Sequence, residues 1–302
     1  MLNGKGYLII VMEILFSQVC QRDVSMAVAS FKSLEKSWQQ PWTLHLIEDG
    51  SVTSAGWDQL RSAFPNAVFY PKPTVREKIE QSLSKHPACL AFYRNVVFAP
   101  KIFEAPLFSS GDCHFCDSDV LFFRKIERLW PSSPGLVFLH ENYGFDGYAH
   151  SLFDWAIRYR IPLAENLNCG MYRIPKGFND LDKIEWFLKR SKNTLDNFVV
   201  EQECWAFLAS NEPHRLIGPN SVLCTKALLP DKNFPAAIHF LGHQKQFFWN
   251  YVLEAEKALE REPVPELETL EGRRVPRRKI IRQIIKGAHR RVVEKLSGKW
   301  KT

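Results

Sequence analysis

The stretch that decides the fold reads Cys113-His114-Phe115-Cys116-Asp117-Ser118-Asp119-Val120-Leu121-Phe122-Phe123. Apolar residues on both sides of an acidic pair mark a buried strand interrupted by charge. Two carboxylates in such a setting are costly to desolvate unless a cation or hydrogen-bond donors compensate them. A divalent ion is the simplest compensation, because hard ions such as Mg2+ and Mn2+ take oxygen ligands and keep positions open for a diphosphate. The competing reading of Asp117-Ser118-Asp119 is a solvated turn between two strands.

Outward from this stretch, strand and helix patterns alternate. Residues 7–16 form a first buried strand, and 24–38 show helical spacing at Val24, Val28, Phe31 and Leu34. Residues 43–47 form the next strand, ending in Glu48-Asp49-Gly50-Ser51, a turn at the sheet edge where α/β proteins bind ligands. A helix at 57–64, a strand at 67–70 and helices at 74–85 and 89–97 follow, with Thr74 and Glu77 as a capping box. Beyond the acidic pair we expect a strand at 136–139, a binding loop at 141–150 and a short helix at 154–159. A strand at 168–174, helices at 181–190 and 197–209, and a last strand at 236–241 complete the pattern. The alternation predicts a three-layer α/β/α fold with a mainly parallel central sheet. Residues 1–260 form the predicted domain, 261–276 a linker and 277–302 a basic amphipathic helix.

A second motif stands far downstream, Ile238-His239-Phe240-Leu241-Gly242-His243-Gln244-Lys245, where an apolar strand ends in His followed by Gly and Lys at steps of three. An imidazole nitrogen can ligate metal, Gly lets backbone approach a phosphate, and Lys sets a point charge on it. The plain alternative is a strand-end His beside a surface Lys.

Together the motifs resemble glycosyltransferase family 8 and related retaining enzymes of the GT-A fold. In that family an apolar strand ending in DxD, an NxG strand, an acidic-Gln pair and H-x-x-G-x-x-K follow in order. They stand here as Asp117-Ser118-Asp119, Asn168-Cys169-Gly170, Glu201-Gln202 and His239 through Lys245, covering residues 7–250. The resemblance implies that Asp117, Asp119 and His239 bind Mn2+ or Mg2+, and that Gly242 and Lys245 hold the diphosphate of a nucleotide-sugar donor. It implies that Arg94 contacts the donor between sugar and phosphate, although a surface Arg on a helix would look the same. Asn168 and Gly170 would line the sugar and acceptor side, and Gln202, next to Glu201, would face the sugar's reactive carbon. The implied activity is a hexosyltransferase moving a hexose from a UDP-sugar to a saccharide or lipid-linked acceptor with retention of configuration. The loop at 17–23 departs from the family by lacking its acidic and Asn residues for the base, and Gln246-Phe247-Phe248-Trp249 replaces Pro-Trp.

Composition is consistent with an enzyme. The 302 residues are 45% apolar and 24% charged, which excludes a mainly disordered chain. The net charge of +7 is uneven: residues 273–302 carry 12 Lys and Arg against Glu294, so the rest of the chain is acidic. Within that tail Ile281, Ile284, Ile285, Ala288, Val292 and Leu296 recur at helical spacing, the pattern of an interfacial helix drawn to anionic lipid. Docking on the chain's own surface and nucleic-acid binding are the less favoured readings. The run at 7–16 is too short to span a membrane and no cleavage site follows it, so a cytoplasmic protein, peripheral at the inner membrane face, is expected. Seven cysteines imply no disulfide framework, and core packing is expected of Cys113 and Cys116. Competing functions are a metal-dependent nucleotidyltransferase, whose Gly-rich loop is not visible at 17–23, and a decayed transferase acting as a membrane-associated binding protein.

Overall fold

The computed structural model describes residues 12–141, 160–191, 200–225, 234–276, 278–282 and 285. The strands are β1 (Glu13–Val19), β2 (Trp42–Glu48), β3 (Val68–Tyr70), β4 (Cys113–Cys116), β5 (Val120–Phe122), β6 (Ile126–Arg128) and β7 (Leu136–His140). They continue as β8 (Leu167–Ile174), β9 (His214–Ile217), β10 (Val222–Thr225), β11 (Ala237–Phe240), β12 (Val264–Glu266) and β13 (Thr269–Glu271). The helices are α1 (Val24–Ser37), α2 (Ser54–Ala63), α3 (Lys72–Ser82), α4 (Pro87–Asn95), α5 (Pro100–Phe108), α6 (Leu181–Arg190), α7 (Val200–Ala209) and α8 (Phe248–Ala258).

Among the described residues an eight-stranded sheet runs β13-β9-β7-β8-β4-β1-β2-β3. Strands β3, β2, β1 and β4 are parallel, as are β7 and β9, while β8 is antiparallel to both its neighbours. The sheet is the mainly parallel one expected. Its strands send alternate side chains to two buried layers. Leu15 packs with α1 residues Phe31 and Leu34, and its neighbour Phe16 packs with Phe92 and Phe103 from α4 and α5. The same alternation parts Cys113 from Cys116, which lie buried in different layers and cannot share an ion. All seven cysteines are free.

The interrupted strand expected at 114–123 is two strands in two sheets. Strand β4 ends the first half in the large sheet, whereas β5 belongs to a three-stranded sheet ordered β10-β11-β5. Asp117-Ser118-Asp119 is the crossing between them. The first strand extends to Val19, pairing with β2 as far as Glu48, and half-buried Gln18 is satisfied there, its amide donating to Glu104 Oε2 at 2.8 Å. The capping box is not formed. Helix α3 begins earlier, at Lys72, with Pro73 in its first turn and the Lys72 N–H donated to Glu48 Oε1 at 2.9 Å, which places Thr74 inside the helix. Within the expected linker, β12 pairs with β6 and β13 with β9. All but the first residue of the loop at 141–150, the helix at 154–159 and most of the basic helix at 277–302 lie outside the described residues. No helix among those described is long and apolar enough to cross a membrane.

Candidate metal centre

Strand pairing brings the two distant motifs together. β5 runs antiparallel to β11 with Val120 opposite His239, and the Phe240 N–H donates to the Asp119 carbonyl at 3.0 Å. On the other side β8 runs antiparallel to β4, and the Asp117 N–H donates to the Gly170 carbonyl at 2.7 Å. One atom each from Asp117, Asp119 and His239 lie within 4.8 Å of one another. His239 Nε2 is 3.6 Å from Asp117 Oδ2 and 3.2 Å from Asp119 Oδ1.

Glycine at 170 follows from this packing. A Cβ there would overlap the His239 ring, so the ring lies directly on backbone. Strand β8 bulges at this point, since its register with β7 jumps from Phe138↔Tyr172 to Leu139↔Asn168. Such bulges re-aim side chains next to functional sites. Here it frees Asn168, whose Oδ1 accepts from the Gly170 N–H at 2.9 Å and whose Nδ2 donates to Glu141 at 3.0 Å and to Gln202 Oε1 at 3.3 Å.

The charges around the triad balance closely. Lys101 Nζ lies 2.6 Å from Asp117 Oδ1, and Lys245 Nζ lies 3.1 Å from Asp119 Oδ2 and 3.0 Å from Asp23. Burial alone would raise the pKa of Asp119, but the His239 charge and then Lys245 and Lys101 outweigh it and hold the carboxyl well below its usual range. Burial would lower His239, and Asp119 outweighs it to push the ring well above its usual value. Lys101 is held protonated in the same way, burial being outweighed by Asp117 and Glu201. Burial lifts the Glu201 carboxyl to about 7, with Lys101 opposing the rise and Asp117 adding to it.

Lys245 returns to the centre because Gly242–Phe247 forms a 3-10 helix, in which Gly242 and Lys245 are one turn apart. Gly242 opens that helix at φ +52°, a left-handed conformation suited to glycine. Arg94 is placed elsewhere. Its guanidinium, 48% exposed, pairs with Glu80 of α3 at 2.5 Å, in a cleft of about 830 Å³ also lined by Glu48, Lys72 and Arg76. The cation against Asp117 is Lys101, on α5, a helix that the sequence pattern does not reveal because Pro100 opens it and Pro106 lies inside it. Asp23 was missed as well, its partner Lys245 being more than two hundred residues away.

The donor set suits a divalent ion. Two carboxylates and an imidazole converge, and Asp119 Oδ1 is buried without a hydrogen bond among the described residues, His239 approaching it without hydrogen-bond alignment.

No family model and no curated protein matches the chain. Among solved structures it is similar to the galactosyltransferase LgtC in complex with donor and acceptor sugar analogues. The TM-score is 0.51 at 13% identity, covering 83% of this chain and 98% of that one. It is also similar to apo mouse xyloside xylosyltransferase 1, with a TM-score of 0.49 and 11% identity over 77% of this chain and 98% of that one. The glycosyltransferase GlyE of Streptococcus pneumoniae gives a TM-score of 0.49 at 11% identity, over 82% of this chain and 63% of that one. At 13% identity the LgtC likeness is one of fold, and the fold is the GT-A architecture expected from the motifs.

Proposed function

We propose that the chain is a metal-dependent hexosyltransferase that takes a nucleotide-diphosphate sugar, UDP-linked by family resemblance, and transfers the hexose with retention to a saccharide or lipid-linked acceptor. The convergence of Asp117, Asp119 and His239 where the two sheets meet carries this reading. A Mn2+ or Mg2+ ion held there would supply positive charge against the two phosphates of the donor. Lys245 and Lys101 add charge where the departing diphosphate becomes more negative, and preorganised cations in a buried site are effective stabilisers of such charge. Gly242, free of a side chain at the start of its helix, leaves backbone open to a phosphate. Asn168 fixes the Gln202 amide, which faces the reactive carbon, and beside it stands Glu201, whose carboxyl burial lifts to about 7. The cleft at the carboxyl end of β2, with Lys72, Arg76 and Arg94, receives the nucleoside end of the donor.

The test is turnover of a panel of nucleotide sugars with Mn2+, read as release of nucleoside diphosphate. Metal-dependent release from one donor is expected, and Gln202→Ala should lower it about 100-fold. Release from no donor would favour the decayed binding protein, and pyrophosphate from a nucleoside triphosphate the nucleotidyltransferase.

The basic tail carries the partner reading. Ile281 and Ile285 are 55% and 61% exposed at helical spacing, while Lys279 faces inward and pairs with buried Glu165. Ile281 and Ile285 thus turn outward beside exposed Arg278 and Arg282, the arrangement that a helix lying on anionic lipid requires of its apolar residues. We assign the protein to the inner face of the cytoplasmic membrane on this basis. Sedimentation with phosphatidylglycerol vesicles should be lost in an Ile281→Asp, Ile285→Asp variant; equal sedimentation of both chains would remove the assignment.

A further inference from the structure

We propose that Cys224 is a positioning residue that orients the His239 ring toward the metal. The inference rests on the metal-centre reading above and names a residue that none of the sequence motifs contains.

Strands β10 and β11 are parallel, with Cys224 opposite His239 in register. Cys224 Sγ lies 3.9 Å from His239 Nδ1, within the reach of a hydrogen bond to sulfur, and both side chains are buried. The ring is therefore fixed on three sides. Nε2 faces Asp117 and Asp119, the Cε1 edge lies on the backbone of Gly170, and Nδ1 meets the thiol. A ring that ligates through Nε2 keeps its proton on Nδ1, and that proton needs an acceptor to fix tautomer and orientation. The usual acceptor is a carboxylate or a carbonyl; here the sulfur stands in that place. Sulfur accepts weakly and brings no charge, so the site gains orientation without adding a further anion to the Asp117, Asp119 and Glu201 cluster.

Cys224 also packs in the apolar layer with Val222 and Ile217, so filling space is the competing role. The two roles order substitutions oppositely. Val keeps the volume and loses the acceptor; Ser keeps an acceptor and loses apolar contact. The experiment measures the Mn2+ dissociation constant of the full chain from the electron paramagnetic resonance of free Mn2+, with thermal melts of the metal-free chains alongside. Positioning predicts that Cys224→Ser binds Mn2+ within a factor of about 3 of the parent, while Cys224→Val and Cys224→Ala weaken binding about 10- to 100-fold. The melts should instead place Val at or above Ser. Cys224→Thr, which keeps both a hydroxyl and a methyl, serves if the Ser variant does not fold. Val binding as tightly as the parent, or Ser and Thr as weakly as Ala, overturns the role. A parent chain that binds no Mn2+ overturns the metal centre itself and this role with it.

Discussion

At Gly170 the His239 ring occupies the space where a Cβ would stand, so the glycine of the NxG motif is a packing requirement of that ring. Gly170→Ala should push the ring off its position, costing about 1–3 kcal/mol of stability and weakening Mn2+ binding, measured by thermal melt and metal titration. If Ala is accepted with unchanged affinity, the ring does not depend on that contact. Lys101 poses a different test. Its ammonium holds Asp117 and opposes the rise of Glu201, so Lys101→Met should push the Glu201 carboxyl further above about 7 and lower turnover about 100-fold. A carboxyl titration followed by carbon-13 resonance would check the direction. The acidic pair and His239 were legible in the sequence because each interrupts an apolar run. Lys101 and Asp23 were not, since a lysine beside a proline and an aspartate at a helix start look like ordinary surface residues until the fold gives them partners.

Among the elements, α4 owes its start to another helix. Its first turn offers the Ala88 and Cys89 N–H groups to Glu185 of α6, at 3.1 and 2.8 Å, and has no cap of its own from His86. Burial would raise the Glu185 pKa, but the Cys89 N–H and Lys189 outweigh it and the carboxyl titrates below its usual 4.5. A lowered folded value means that this contribution is fully present above the unfolded pKa and is lost as pH falls through the folded one. Glu185→Gln should therefore cost about 1–2 kcal/mol near neutrality and make the loss of stability below about pH 4.5 shallower, measured by urea unfolding across pH. Long elements with strong periodicity, such as α1 and α6, were readable from sequence, the latter to the residue. Strands β6, β9, β10, β12 and β13 were not, because three or four residues hold too few alternations to mark a strand; β3 and β11, equally short, were readable because they lie in the largely apolar runs 67–70 and 236–241. Helix α5 was hidden by Pro106 inside it.

At the scale of the molecule, the acidic pair is the covalent seam between the large sheet and the small one, Asp117 closing β4 and Asp119 leading into β5. His239 and Lys245 come from the small sheet and the turn after it, while Gly170 and Asn168 come from the large sheet. An ion held as proposed, by residues from both, would act as a rivet through two plates, so loading it should stiffen the join as well as equip the site. Amide hydrogen exchange should then slow in β10 and β11 when Mn2+ is added, and Asp119→Asn should abolish that slowing while leaving exchange in β2 and β3 as it was. A donor that brings its own phosphates to the rivet would tighten the plates further, making the stiffness of the small sheet a mechanical gauge of how completely the cleft is filled.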